Sequence, residues 1–264
     1  MTFNAEEFAA TNPFAKVSTL EYELPDFTKI ADEHYLPAFY AGCAEQLAEV
    51  NDILASGEPS FENTIVALER SGRTLGRMLN VFYNKSSADT SKAIDDIEAE
   101  IAPKLAAHSD AIKLNADLFE RIETIHRAKD SLGLDAESAW LVERYYRDFV
   151  HAGAKLSAET REQLKKLNER LSELEAKFGT NILNDQNDLA VHVTDAALLD
   201  GLSDNEIAAA KASAEARELD GWLIDMVNYS GNPVLASLTN RDLRKTVMSN
   251  TLIKGARDNE NDNR

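Results

Sequence analysis

The sequence predicts a mainly α fold: a helical bundle or array with a small two-stranded β element in its C-terminal third. Three observations carry this. Apolar residues recur at steps of three, four and seven through most of the chain, which lines one face of each helix. Glycine and proline are scarce, 11 and 6 among 264 residues, which suits long helices rather than many turns. Two short segments, 189–194 and 221–227, read as strands. Apolar residues make up 44% of the chain, enough to bury a core.

The chain divides into an irregular N-terminal arm (1–29), a helical bundle (30–185) and an α/β-containing segment (186–264). Asn12-Pro13-Phe14 and Leu24-Pro25-Asp26-Phe27 are turn signals in the arm. The first helix starts near Asp32, or near Pro37 if proline takes the first helical position. Leu36, Phe39, Tyr40, Cys43, Leu47, Val50 and Leu54 form its stripe. A second helix spans 60–82, capped by Ser60, with Ile65, Leu68, Leu75, Leu79 and Phe82 on one face. Gly72 falls on that face, where it would admit a close helix neighbour. The third helix, about 90–112, carries Ile94, Ile97, Ile101, Leu105 and Ile112. Pro103 predicts a kink or break near Ala102.

Asn115 caps a fourth helix bearing Leu118, Phe119, Ile122 and Ile125. Asp135 caps a fifth, through Trp140, Tyr145, Tyr146, Phe149 and Val150, which stops near Gly153. In the sixth, Leu164, Leu167, Leu171, Leu174 and Phe178 step 3-4-3-4, the pattern of a bundle helix packed in coiled-coil fashion. The 189–194 strand, a helix opened by the capping box Ser203-Asp204-Asn205-Glu206 and the 221–227 strand then follow. That order allows a parallel pair with a right-handed crossover. Asn232-Pro233 starts a short helix, about 241–253 forms the last one, and 256–264 is a polar tail.

The net charge of −18 argues against nucleic acid and against an anionic membrane surface as partners. No apolar run reaches the roughly 18 residues of a membrane span. Residues 1–7 lack the basic and apolar regions of a secretory signal, so the cytoplasm is the expected location. Cys43 is the only cysteine, which excludes an internal disulfide.

Single residues invite sharper readings. His108 sits on the third helix's stripe without a ligand at i±4, so it reads as a packed, hydrogen-bonded histidine rather than a metal ligand. His151, beside Arg147 and Asp148, could bind substrate, but helix-end solvation or dipole pairing is favoured. Cys43 reads as a buried small apolar residue rather than a nucleophile. Asp95, Asp96, Glu98 and Glu100 wrap around their helix as a solvated acidic face rather than a catalytic cluster. Tyr145 and Tyr146 could line a channel or pack in the bundle. The sequons at Asn84 and Asn228 lack a secretory context.

The wording of several blocks carries more. Ser60-Phe61-Glu62-Asn63-Thr64-Ile65-Val66-Ala67-Leu68-Glu69-Arg70-Ser71-Gly72 resembles a signature of the thimet-oligopeptidase family of zinc metallopeptidases. Glu33-His34-Tyr35-Leu36-Pro37-Ala38-Phe39, Phe149-Val150-His151-Ala152-Gly153 and Leu235-Ala236-Ser237-Leu238-Thr239-Asn240-Arg241 resemble further family blocks in the same order. The match is most nearly to its bacterial peptidyl-dipeptidase branch. Such enzymes bind zinc through H-E-x-x-H. None of His34, His108, His126, His151 or His192 begins that motif. The resemblance therefore implies an N-terminal portion of a two-lobed peptidase, one wall of a deep channel. Its implied partners are the C-terminal catalytic portion of the same polypeptide, which would hold the zinc, and short oligopeptides. No catalytic or metal-binding residue is expected in this chain. The alternatives are a portion of an oligopeptidase that cleaves internally, or a non-catalytic helical scaffold.

Overall fold

The structure is a computed structural model and describes residues 5–227 and 232–264, with side chains from Phe8 onward. The sequon at Asn228 lies outside the described residues. The backbone is mainly helical, with one two-stranded sheet. It forms two compact units, divided between Leu174 and Glu175.

In the first unit, α1 (Ala5–Thr11) opens what the sequence reads as an irregular arm. Asn12 caps a short 3-10 turn at Pro13–Ala15, accepting from the N–H of Phe14. α2 (Tyr35–Ala55) carries Pro37 in its first turn, where a missing N–H is harmless. Its buried face differs from the expected stripe. Tyr35, Ala38, Phe39, Ala41, Gly42, Val50 and Ile53 are buried, whereas Leu47 is exposed. The reason is Gly42: a Cβ there would lie 2.7 Å from the backbone nitrogen of Leu75. Small residues make this seam, so a pattern read from large apolar residues misses its centre.

The expected single helix over 60–82 is instead three pieces. A π-helical stretch at Phe61–Val66 runs into α3 (Ala67–Arg70), the chain breaks at Ser71, and α4 (Arg73–Ala88) begins. Gly72 is left-handed at φ 70° and caps α4. It is the hinge of the break rather than a gap in a helix seam. Its N–H donates to Glu49 Oε2 at 2.7 Å, a bond that a continuous helix would not leave free. The apolar spacing survived because the break preserves the buried side: Ile65, Leu68, Leu75 and Phe82 are all buried.

α5 (Lys92–Lys113) runs unbroken through Pro103, against the break expected there. One lost hydrogen bond is tolerated because the bonds on either side and the buried Ile94 and Ile101 hold the helix. Asn115 caps α6 (Ala116–Ala128) and Asp135 caps α7 (Ala136–Ala152), each accepting from the N–H three residues on, and Gly153 stops α7. Two apolar clusters result. One joins Val50, Ile53, Ile65 and Leu68 to Leu118, Ile122, Ile125, Val142 and Phe149. The other joins Phe14, Tyr35 and Phe39 to Leu75, Met78, Phe82, Ile94 and Ile101.

α8 (Ala158–Asp188) runs across the boundary between the units. Its 3-4-3-4 stripe does not pack as expected: Leu167, Leu171, Leu174 and Phe178 are 66%, 54%, 45% and 54% exposed. Heptad spacing specifies an apolar face, not a partner among the described residues.

In the second unit, β1 (Val191–Val193) and β2 (Trp222–Ile224) pair antiparallel, with Val191 opposite Ile224. The parallel crossover allowed by the element order is thus overturned. The segment containing α9 (Asp204–Ala216), opened by the Ser203–Glu206 capping box, returns the chain to the end at which β1 finished. α10 (Val234–Ser237) and α11 (Arg241–Leu252) follow. Leu189, Val193, Leu199, Ile224, Met226, Leu243 and Val247 form the core. The tail read as merely polar is bonded to α8. Asp185 accepts from Gly255 N–H and Arg257 Nε at 2.6 Å and from Asn259 at 3.3 Å.

Candidate functional site

The signature stretch is built around Arg121. This side chain on α6 is buried, and its guanidinium gathers the residues before and within the signature. Nη1 donates to the carbonyls of Ser56 and Gly57 at 3.0 and 2.9 Å. Nη2 donates to Ser56 Oγ at 2.7 Å and Asn63 Oδ1 at 3.1 Å, and Nε to Thr64 Oγ1 at 3.2 Å. A planar five-donor fork suits such a clasp, and a lysine could not reproduce it. Asn63 also closes the capping box with Ser60 and donates to the carbonyl of Glu58 at 2.9 Å. The Asn-Thr pair is therefore architectural: it locks the α2–π-helix turn onto α6.

Beside the clasp lies an open hollow of about 350 Å³, with Glu49, Asp52, Ser56, Asn63 and Arg70 in its wall. It holds acceptors and one cation, which suits polar recognition. It contains no nucleophile paired with a base, so it has no equipment for covalent chemistry.

Tyr145 and Tyr146, read as channel-lining or packing residues, both pack against the apolar cluster of α6 and α7. Tyr145 Oη donates to Glu69 Oε2 at 2.6 Å, and burial followed by that carboxylate pushes its phenol well above the usual range. Tyr146 stacks on His126 with ring centroids 3.8 Å apart and accepts from Lys155 at 2.7 Å. His126 meets Glu143 at 2.9 Å, and Lys129 followed by His126 holds that carboxyl below its ordinary value.

His108 is buried and its Nε2 lies 2.7 Å from Gln46 Oε1, so Nε2 donates and Nδ1 is bare. Burial lowers its pKa, which keeps the ring neutral at physiological pH. His151 is exposed in the last turn of α7. Cys43 is half-buried and burial pushes its thiol up to about 11, which removes it as a nucleophile at neutral pH. The acidic run separates into individual contacts: Asp95 with Thr90, Asp96 with Lys92, Glu98 with Ser86, and Glu100 with Tyr40. The four carboxylates share no centre.

Zinc needs three or more convergent His, Cys, Asp or Glu ligands. Among the described residues no such group exists, so the described side chains do not fit the ion. No helix is long and apolar enough to cross a membrane among the described residues.

A mainly helical fold built around a structural signature, with no group of three metal-ligating side chains among the described residues, defines a class: a mainly helical homologue of peptidases. The chain is 36% identical over 255 residues, 96% of its length, to dipeptidyl carboxypeptidase of Escherichia coli (strain K12). It is 34% identical over 257 residues to the dipeptidyl carboxypeptidase of Salmonella typhimurium. It is 29% identical over 227 residues to oligopeptidase A of Escherichia coli. The chain belongs to the thimet-oligopeptidase family, of which these peptidases are members. It covers 37%, 38% and 33% of these three relatives. No protein-family model matches it.

The residues that sequence reasoning missed are Arg121 and Asp185. Each is a charge inside an element otherwise read by its apolar stripe. For Arg121 the available signal was its place between Leu118, Phe119, Ile122 and Ile125 on a short helix, where little surface remains for a charge.

Proposed function

We propose that this chain forms the N-terminal substrate-channel region of a zinc-dependent peptidyl-dipeptidase that releases dipeptides from the C-termini of short oligopeptides in the cytoplasm. The observation that carries this reading is the 36% identity over nearly the whole chain to a dipeptidyl carboxypeptidase. In this reading the H-E-x-x-H ligands and the zinc, which would polarise the scissile carbonyl and activate water, belong to a catalytic portion beyond the matched third. The residues of this chain supply a wall. Arg121 fixes the α2–α6 corner through five contacts, and two apolar clusters back it. A rigid wall confines substrates to chains thin enough to enter.

The test uses the complete product of the gene with a blocked tetrapeptide and a longer internally quenched peptide. Stepwise loss of C-terminal dipeptides, abolished by a chelator and restored by zinc, is expected. Internal cleavage without dipeptide release would favour an oligopeptidase, a reading to which the 29% identity to oligopeptidase A lends weight. Absence of any hydrolysis would leave a helical scaffold.

A further inference from the structure

A cavity of about 550 Å³ lies between the 12–30 segment and α4, away from the signature clasp. Pro13, Phe14, Val17, Pro25, Ile30 and Val81 give it an apolar wall. Arg77 is also part of that wall. Its Nη2 donates to the carbonyl of Phe14 and to Thr74 Oγ1, both at 3.2 Å. Its Nε is buried with no acceptor, and no carboxylate among the described residues pairs with it. A guanidinium held against an apolar cavity without a counter-ion is an uncompensated charge that favours an anion. Lys16 and Lys29 stand exposed at the rim with Glu23 and Asp26, and Lys29 already pairs with Asp26 at 2.7 Å. The rim is therefore close to neutral and the half-buried guanidinium behind it is positive, in a protein of net charge −18. Tyr22 and Glu23, both left-handed at φ 56°, bend the rim through a conformation non-glycine residues rarely adopt. Such backbone is concentrated at ligand clamps.

We propose that this cavity binds a carboxylate carried on a compact apolar body, with Arg77 as its counter-ion. The volume suits a body of amino-acid to drug size, and a planar oxyanion is the natural partner of a guanidinium. The same chemistry is offered by a free aryl-alkyl acid and by the C-terminal residue of a peptide, and the probes separate these sources.

The whole chain, labelled with 15N and with 13C at valine and isoleucine methyls, is titrated with 4-phenylbutyrate and with N-acetyl-Ala-Ala-Leu. The corresponding amides are the controls. Shifts at Arg77 Nε–Hε and at the Val17, Ile30 and Val81 methyls are expected with at least one acid. The matching amide should bind about tenfold more weakly or worse, because it cannot neutralise the guanidinium. Which acid binds identifies the source. Arg77→Gln should weaken binding about tenfold. It also removes the bonds to Phe14 and Thr74, so Val17→Trp, which fills the cavity and leaves Arg77 in place, is measured beside it and should weaken binding likewise. The proposal is overturned if both acids leave these signals unmoved up to about 10 mM. It is equally overturned if amides bind as well as acids, or if Val17→Trp leaves affinity unchanged.

Discussion

Asp185 is fully buried, and a carboxylate removed from water stays ionised only among donors. Burial by itself would raise its pKa. The Arg257 guanidinium, the N–H of Gly255 and the amide of Asn259 together outweigh that and hold the carboxyl below its ordinary value. Arg257 is raised in turn, Asp185 first among its causes, and also reaches Asp188 at 3.0 Å. A carboxyl depressed in the folded state stabilises the fold at pH values above its unfolded pKa, near 4. That contribution is lost as pH falls through the lower folded value. Removing one partner of such a pair costs about 3–5 kcal/mol, because the other is left uncompensated. Arg257 keeps Asp188 as a partner, so Asp185→Asn should lower the unfolding free energy at pH 7 by less than that, about 1–3 kcal/mol. The variant should also lose less stability than the parent between about pH 4 and pH 2. Denaturant midpoints and slopes at several pH values, read by tryptophan fluorescence with Trp140 replaced by Phe in both proteins so that only Trp222 emits, give both quantities. Equal acid sensitivity in the two proteins would mean that Asp185 is not an acid-labile clasp of the tail.

At the scale of the element, three glycines separate three causes. Gly42 sits where α2 meets α4, and a Cβ there would press on the backbone of Leu75 at 2.7–2.8 Å. Gly72 is left-handed, and a Cβ would also strike the side chain of Gln46 at 2.4 Å. Gly76 lies inside α4 with nothing within 4 Å of its would-be Cβ. Alanine at Gly42 should cost about 1–3 kcal/mol through forced separation of the helices. At Gly72 it should cost about 1–2 kcal/mol through the left-handed backbone. At Gly76 it should stabilise by about 0.5–1 kcal/mol, since alanine is the better helix former. Denaturant midpoints at unchanged slope decide the signs. A neutral Gly42→Ala would remove the close seam from α2 and α4, and a stabilising Gly72→Ala would restore the uninterrupted helix that periodicity suggests. These positions also mark the limit of pattern reading. Caps at Ser60, Asn115, Asp135 and Ser203 were legible because each is a local bond to an N–H two or three residues on. The break at Gly72 was not, because a helix that stops and restarts in phase keeps its apolar spacing. The antiparallel β1–β2 pairing was not legible either, since it depends on where α9 returns the chain.

For the whole molecule, the mainly helical class and the family were both legible, one from spacing and the other from ordered blocks of wording. The clasp at Arg121 was not, since its five acceptors come from residues 56–64 and only folding brings them to α6. The exposed α8 stripe shows the same limit from the other side: the sequence states the face and leaves its cover unstated. The absence of H-E-x-x-H could be read directly, and what it predicts belongs to the molecule as a whole. No three metal-ligating side chains converge among the described residues. The carboxylates that cluster in sequence are dispersed onto Thr90, Lys92, Ser86 and Tyr40. His108 is committed to Gln46 and His126 to Glu143. This polypeptide alone should therefore release no dipeptide from a blocked oligopeptide, with or without added zinc. Zinc that bound the native state specifically would also stabilise it, by about 2.7 kcal/mol at a hundred times its dissociation constant. An unchanged melting temperature at micromolar zinc is thus the companion expectation, and it is independent of any substrate choice. Zinc-dependent dipeptide release in proportion to the concentration of the purified chain would show that a catalytic centre had been missed. A zinc-dependent rise in melting temperature without hydrolysis would show a metal site of another kind.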